Sequence, residues 1–356
     1  MRVHRGQVGA APAAWGVALG VVLACASATG SPWVLPESAT VLQLDFRTEF
    51  ADREFLPDGT NQDFPINGKF SSQTLGINVR HGFGEGFEGS LALSYKAVAF
   101  SADPVTAVGP IAIDPITTEA TIGQILPTFA VNKQDEGLAD IYASVRYNLL
   151  GGPLLITPEL EVKIPGGYES PSGTFVNDDP GLVPNPDQEG AFVEQRTGDV
   201  NAADDVSLGD GQVDLRLSVL FGAFIAPSRT FARAGAGINF RFGGAGQQFV
   251  GDFKVGQLLG DNFIFFASTK ATLTLTEGEV IGKSFATGDP DTPAQAFPLT
   301  SLEFIDLRLD KDALEFSGGA IFKVDAYEVI LTGGKILWGQ NISESVFASF
   351  STSYRY

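Results

Sequence analysis

Cysteine, histidine and methionine are scarce in this chain of 356 residues, which contains one Cys, one Met and two His. The single cysteine, Cys25, lies in an apolar run near the N-terminus, so we expect no disulfide in the folded protein. Beyond residue 28 one histidine remains, His81, which is too few for a zinc site or a Ser–His–acid set. The sequence therefore predicts no catalytic residue, no metal site, no cofactor and no enzymatic activity.

Long apolar segments are missing after the start of the chain. Two arginines precede an apolar run over residues 8–24, and small residues follow it. This pattern is typical of a secretory signal peptide, so we exclude residues 1–28 from the fold as a cleaved segment. A lipidation site at Cys25 is the alternative. No later segment has about 18 apolar residues in succession, so we expect no membrane-spanning helix.

Basic residues are outnumbered by acidic ones. Without the two arginines of the signal peptide, 21 basic residues face 42 acidic residues, a formal net charge of −21. Such a chain repels nucleic acid and anionic membrane surfaces. We therefore expect no nucleic-acid partner.

The chain is rich in segments where apolar and polar residues alternate. In the last of them Val346, Phe350 and Tyr354 fall on one face, serines fall on the other, and Phe347 is the exception. Side chains of a strand alternate with period two, so each segment predicts a strand with one apolar face. The twelve segments are 41–50, 69–82, 87–100, 137–149, 154–165, 211–224, 230–242, 247–258, 262–276, 313–325, 327–338 and 343–356.

Periodicity alone does not separate a soluble sandwich from a membrane barrel, whose apolar face points outward. Two features favour the barrel. Most segments have about ten or more residues, whereas soluble strands have about five or six. Connections after the second, fourth, sixth, eighth and tenth segments are tight, and those after the first, third, fifth and ninth are long. We predict an all-β fold, a transmembrane antiparallel β-barrel over residues 41–356 with short periplasmic turns and long extracellular loops.

Aromatic residues support this orientation, because a barrel carries an aromatic girdle at each interface of the membrane. The predicted periplasmic girdle comprises Phe83, Phe87, Tyr147, Phe231, Phe263, Tyr327, Tyr354 and Tyr356. The predicted outer girdle comprises Phe50, Phe70, Phe100, Phe240, Phe242 and Trp338.

The sequence leaves the strand count open and makes two further predictions about the barrel. Residues 301–310 also alternate, so the count is about 12 strands, with 14 as the alternative. Pro158 lies inside the fifth segment and predicts a bulge there. Residues 29–40 are expected to form a short periplasmic leader, too short for a plug domain.

Several short motifs carry a family resemblance. They are Gly137-Leu-Ala-Asp140 with Tyr142-Ala-Ser-Val-Arg-Tyr147, Lys163-Ile-Pro-Gly-Gly167, Gly209-Asp-Gly-Gln-Val-Asp-Leu215 and Gly339-Gln-Asn341. Together they resemble the outer-membrane barrel family labelled for the meta-cleavage pathway of phenol degradation. The resemblance implies a barrel that moves small, often hydrophobic, compounds across the outer membrane. Ala139 stands where that family usually has Gly.

The polar faces of the segments predict a charged lumen of both signs. The predicted lumen-lining residues are Arg47, Glu49, Arg80, Lys96, Asp140, Arg146, Glu159, Glu161, Lys163, Asp214, Arg216, Arg233, Arg241, Asp252, Lys254 and Lys270, with Glu315 and Lys323. These charges either pair and partly fill the bore or line a polar, weakly selective pore.

Two of the outer loops have unusual compositions. The segment 104–131 is apolar, and it predicts either a lid over the mouth or an extension of the third and fourth strands. The lid residues are Ile111, Ile113, Ile116, Ile122, Ile125, Leu126 and Phe129. The acidic loop 166–210 predicts a solvated outer loop, and the alternative is that divalent cations bridge Asp204, Asp205 and Asp210 to lipopolysaccharide.

The sequence as a whole predicts a monomeric outer-membrane channel for passive passage of small molecules, including hydrophobic or aromatic ones. The expected partners are outer-membrane lipid and lipopolysaccharide, the small-molecule solute and the barrel assembly machinery, which would read Phe350, Tyr354 and Tyr356 as its signal. The alternative is a non-conducting structural or adhesive barrel that acts through its long acidic outer loops.

Overall fold

Twelve long strands form the body of the protein in the computed structural model. The structure describes residues 32–64, 67–108, 112–113, 120–121, 125–152, 154–168, 182–184, 192–194, 207–287 and 302–356. The strands are β1 (Thr40–Ala51), β2 (Lys69–Gly84), β3 (Phe87–Val108), β4 (Ile141–Tyr147), β5 (Leu154–Ile164), β6 (Val213–Ile225), β7 (Thr230–Phe242), β8 (Gln248–Leu259), β9 (Phe263–Thr274), β10 (Asp312–Val324), β11 (Tyr327–Gln340) and β12 (Val346–Arg355).

The strands close into an antiparallel barrel. Each strand pairs with its neighbours in sequence, and β1 also pairs with β12, from Val41 opposite Arg355 to Phe50 opposite Val346. Closure leaves no edge of the ring with unpaired backbone groups, which strands surrounded by lipid require. The prediction of an all-β antiparallel barrel is confirmed.

The strand count is twelve, and the alternative of fourteen is wrong. Leu302–Arg308, which covers most of the ambiguous segment, pairs with Val280–Thr287 in a separate two-stranded sheet. This hairpin stands outside the ring because β9 pairs directly with β10.

The fourth predicted strand is interrupted. Ile125–Leu138 pairs with the upper part of β3, and β4 pairs with its lower part after a break at Ala139 and Asp140. The other short strands lie in three sheets of the connections: Arg53–Phe55 with Asn61–Asp63 and Ile342–Ser343, Ala112–Ile113 with Ala120–Thr121, and Leu182–Pro184 with Phe192–Glu194. A 3-10 turn spans Ala226–Ser228. No helix in the described ranges is long and apolar enough to cross a membrane.

The two ends of the barrel differ, and we call them the turn end and the loop end. At the turn end β2 joins β3 through Glu85 and Gly86, and β10 joins β11 through Asp325 and Ala326. Glu85 and Asp325 have left-handed backbones, with φ of 49° and 52°, as tight turns require. The first residues of β1 and the last of β12 lie at this end also. The long connections leave from the loop end.

Pro158 lies beside a local irregularity. Its pairing with Val219 of β6 is regular. On the β4 side, the register changes between the pair Arg146–Glu159 and the bridge Leu150–Ile156. Three residues on the β4 side face two residues of β5 there. The bulge predicted at Pro158 is therefore found on the strand opposite it.

The burial pattern is inverted relative to a soluble protein. Leu75 and Leu91 on the outer face are 56% and 48% exposed, whereas Glu49 and Lys96 on the inner face are 0% and 2% exposed. Such an outer face is a continuous apolar belt, which suits lipid and not water.

Aromatic pairs lie on this outer face near the turn end, for example Phe87 with Tyr147, whose ring centroids are 4.6 Å apart. Three girdle assignments are wrong. Phe70 and Phe100 are buried at the loop end, where Phe100 packs edge-on against Phe64. Phe231 packs against Trp33 of the leader. All three share a face with inward-pointing polar residues of their strands, so period two places them inside.

Candidate functional site

The interior of the barrel is polar and charged. All of the predicted lumen residues are buried or half-buried, and the side chain of Lys323, near the turn end, is 41% exposed. Those with less than 9% exposure are Glu49, Lys96, Asp140, Arg146, Glu159, Glu161, Lys163, Asp214, Arg233 and Arg241. Arg47, Arg80, Arg216, Asp252, Lys254, Lys270 and Glu315 are half-buried. Their charges form clusters at two levels, which enclose a cavity.

At the turn end, Glu88 is the centre of an ion-pair chain. Its Oε1 accepts hydrogen bonds from Arg80 Nε at 2.7 Å and Arg146 Nη1 at 3.1 Å. Arg146 Nε then donates to Glu159 at 2.8 Å. Glu88 and Arg146 are almost fully buried, so each charge depends on the others for its stabilisation.

The leader enters the barrel beside this chain. The main-chain nitrogen of Leu35 donates to Glu88 Oε2 at 2.7 Å, and the Thr157 hydroxyl donates to the Pro32 carbonyl at 2.8 Å. Pro32 is fully buried against Gly222, where a side chain would collide with it. The sequence predicted a leader too short for a plug domain. The structure shows that its residues from Pro32 onward nevertheless narrow the turn end.

At the loop end, Asp210 is held by two wall cations. Lys163 Nζ lies 2.5 Å from Asp210 Oδ1, and Arg241 Nη2 lies 2.6 Å from Asp210 Oδ2. Asp214 adds a second carboxylate, 2.9 Å from Lys163 Nζ. Burial opposes ionisation of Asp210, but the charges of Lys163 and Arg241 hold its pKa below the usual range. Asp210 is 2% exposed and already paired with two cations, so the alternative in which divalent cations bridge it to lipopolysaccharide is wrong.

Two loop segments fold into the mouth at this level. Leu208 and Leu309 are 4% and 3% exposed. Lys96 donates to the Leu208 carbonyl at 3.2 Å, and Arg241 donates to the Leu309 carbonyl at 3.2 Å. Asp310 accepts hydrogen bonds from the main-chain nitrogens of residues 246 and 278 at 2.7 and 2.6 Å. The wall charges therefore hold the segments 207–212 and 309–311 across the bore.

The motifs that carry the family resemblance meet at this mouth. Tyr168 donates to Asp140, and the main-chain nitrogen of Gly211 donates to the Tyr168 hydroxyl at 3.2 Å. Burial raises the pKa of Tyr168, and the Asp140 carboxylate raises it further. Asn341 donates to the carbonyl of residue 310 at 3.0 Å. Separate positions in the sequence thus build one constriction, which periodicity alone did not show.

Between the two levels lies a cavity of about 350 Å³. Arg47 lines it, with its guanidinium 3.7 Å from the ring centroid of Phe347 and 3.6 Å from Glu315. Lys254 lines the same cavity, with its ammonium 4.3 Å from the ring centroid of Phe266. Phe347, the exception in the alternation, therefore points inward as a partner of Arg47.

The remaining site predictions fall largely on the loops and the last strand. Ile111, Ile116 and Ile122 lie outside the described residues. Ile113 lies on a short paired strand, and Ile125, Leu126 and Phe129 lie on the strand that extends β4 along β3. The lid stays a prediction. Phe350, Tyr354 and Tyr356 lie on the outward face of the closing strand or just after it, and their role in assembly stays a prediction.

His81 lies at the turn end, where Thr40 Oγ1 is 2.8 Å from its Nδ1. Asp204 and Asp205 lie outside the described residues. Among the residues that the structure describes, no group of three or more His, Cys, Asp or Glu is arranged to hold a metal ion.

Comparisons with known proteins match the fold. No family model matches the sequence, and no curated protein matches it. A solved outer-membrane channel from Pseudomonas putida F1 is similar over 92% of this chain and 98% of its own, with a TM-score of 0.55 and 10% identity. The NanC porin and the CymD monoaromatic hydrocarbon channel give TM-scores of 0.42 and 0.40 at 8% identity, over 87% and 90% of this chain and 98% and 89% of theirs. The chain therefore has the fold of outer-membrane β-barrels.

Proposed function

We propose that this protein is an outer-membrane channel for passive passage of small molecules, including hydrophobic or aromatic ones. The observation that carries the proposal is the cavity of about 350 Å³ inside a closed barrel, between two narrowed ends. Cavities of about 300 Å³ and larger accept small organic ligands. The apolar belt outside and the polar wall inside favour insertion in lipid with a solute path along the axis.

The two narrowed ends of the barrel lie on the path that a solute would take. The leader and the two mouth segments are short, and a few hydrogen bonds and ion pairs hold them to the wall. Passage of a solute through these ends would require the segments to move. The protein would then conduct in a gated manner, with the outer mouth on the extracellular side and the turn end in the periplasm.

The experiment that tests the channel is single-channel recording of the refolded protein, from residue 29 onward, in a planar bilayer. Discrete conductance steps are expected. The variant Lys254→Glu, which reverses a charge on the cavity wall, should shift the selectivity toward cations. A silent bilayer, with folding established by heat-modifiable gel mobility, would reject an ion-conducting lumen.

The rival function is a non-conducting structural or adhesive barrel. Buried ion pairs at both levels favour it, because they occupy the bore where a pore would be open. Its acidic outer loops would then carry the function. Uptake of a neutral aromatic solute into liposomes separates the two, since an adhesive barrel gives no uptake above that of empty liposomes.

A further inference from the structure

Lys254 differs from the arginines of the central cavity. Arg80, Arg146 and Arg233 each lie within 3.1 Å of a carboxylate oxygen. Arg47 lies near two carboxylates, those of Glu49 at 3.7 Å and Glu315 at 3.6 Å. Among the described residues, Lys254 has no carboxylate within the 4.0 Å of an ion pair. Its ammonium rests on the ring of Phe266 instead.

The surroundings of Lys254 leave one positive charge unbalanced. Arg233 lies directly across from it on β7, and Arg233 already binds Asp252 through Nη2 at 2.8 Å and Nε at 3.2 Å. Two cations thus share one carboxylate. A cation removed from bulk water without a counter-ion is costly, and an anionic ligand would offset that cost.

One wall of the cavity beside this charge is apolar. Phe266 is 7% exposed, and Ile321 and Ile330 face each other across β10 and β11 in the same lining. Gly319 leaves room for the Phe266 ring, since a β-carbon there would lie 2.7 Å from its Cζ. The cavity therefore presents a free ammonium next to a flat aromatic and aliphatic surface.

We propose that the cavity binds a small aromatic monocarboxylate, with its carboxylate on Lys254 and its ring on Phe266 and the two isoleucines. The inference rests on the proposed channel function and names a solute class for it. A carboxylate completes the ion pair that Lys254 lacks, and a single ring fits a cavity of about 350 Å³.

The test is a ¹⁹F NMR titration of 4-fluorobenzoate with the refolded protein in detergent micelles. The neutral 4-fluorobenzyl alcohol is the control, because it measures partition into detergent and apolar packing without a carboxylate. Lys254→Gln should weaken 4-fluorobenzoate binding about tenfold or more, the usual worth of a charge-assisted hydrogen bond, and leave the alcohol unchanged. Lys254→Arg should retain most of the affinity. Lys335→Gln is the matched control, because Lys335 is exposed and pairs with Glu344.

Equal affinity of the wild type and Lys254→Gln for 4-fluorobenzoate, or no binding by the wild type, would overturn the inference. Heat-modifiable mobility shows that each variant is folded. Bilayer recording in parallel separates the two proposals. Conductance steps without Lys254-dependent binding would support the channel function and reject the aromatic monocarboxylate as its ligand. Lys254-dependent binding with a silent bilayer and no liposome uptake supports the binding site and rejects the channel.

Discussion

Gly222 and Pro32 occupy adjoining space at the turn end of the barrel, where a β-carbon on Gly222 would lie 2.4 Å from Cγ of Pro32. A glycine on the inner face of β6 therefore makes room for the leader. Together with the hydrogen bonds of Thr157 and Glu88 to the leader, this contact places the segment in the bore.

A side chain at Gly222 should displace the leader. We expect Gly222→Val to give larger conductance steps than the wild type, because the ion pairs of Glu88 remain while the leader is excluded. Single-channel recording measures this. Gly333→Val is the control, since the nearest atom to a β-carbon on Gly333 is 3.8 Å away. Unchanged steps in Gly222→Val would mean that the leader does not limit conduction.

At the loop end, Asp210 should control the mouth segment. Asp210→Asn removes the carboxylate that Lys163 and Arg241 share and leaves two buried cations with Asp214. Breaking a buried ion pair costs roughly 3–5 kcal/mol, so we expect a lower free energy of unfolding and a wider open state. Urea unfolding and conductance measure the two effects.

The control for Asp210 is Asp261→Asn. Asp261 pairs with Arg229 on an exposed turn, with side-chain exposures of 89% and 45%. Exposed ion pairs contribute little, so neither stability nor conductance should change measurably. Similar effects of the two variants would contradict a specific role of Asp210 in closing the mouth.

Much of the barrel could be predicted from the sequence, because side chains alternate between the two faces of a strand. The same alternation places apolar residues outside and polar residues inside the barrel. Eleven of the twelve predicted segments match one strand each, and the fourth is interrupted at residues 139 and 140. Phe347 breaks the alternation because its ring contacts Arg47 inside the barrel. The girdle predictions for Phe70 and Phe231 are wrong because period two places both residues on the inner face of their strands, whatever their aromatic character.

The constrictions were not predictable in the same way. The segments 207–212 and 309–311 have no repeating pattern, and their positions depend on charges from distant strands, such as Lys163 and Arg241. Both cations were predicted to face the lumen, yet nothing local indicated that their partner, Asp210, would come from a loop. Long-range ion pairs of this kind leave no local signal in a single sequence.

Glu54, at the loop end, should make the stability of the protein depend on pH. It is 2% exposed on the strand Arg53–Phe55, and Gln62 donates to its Oε1 at 3.0 Å. Burial raises the pKa of Glu54 to about 7 from 4.5. Below pH 4.5 the carboxyl is protonated in both states, and between 4.5 and 7 the unfolded chain alone releases the proton. The free energy of unfolding should fall over this window by about 3 kcal/mol and then level off.

Glu54→Gln removes this titrating group and should flatten the curve between pH 4.5 and 7. Urea unfolding at a series of pH values measures the slope. Glu277→Gln is the control, because the Glu277 side chain is 84% exposed. An undiminished slope in Glu54→Gln would show that other groups cause the pH dependence.

A side chain at Gly334 on β11 should destabilise the protein. A β-carbon there would lie 2.4 Å from Cζ of Phe347 and 2.6 Å from the Phe316 carbonyl oxygen. In an open strand position Gly→Ala gains about 0.5–1 kcal/mol, so a loss must come from collision. We expect Gly334→Ala to lower the free energy of unfolding by about 1–3 kcal/mol, since Phe347 cannot shift without leaving Arg47. The adjacent Gly333→Ala, with its nearest atom 3.8 Å away, should be neutral or stabilising in the same urea titration. Equal stabilities of the two alanine variants would show that the Phe347 ring moves freely, and that its contact with Arg47 does not fix the cavity wall.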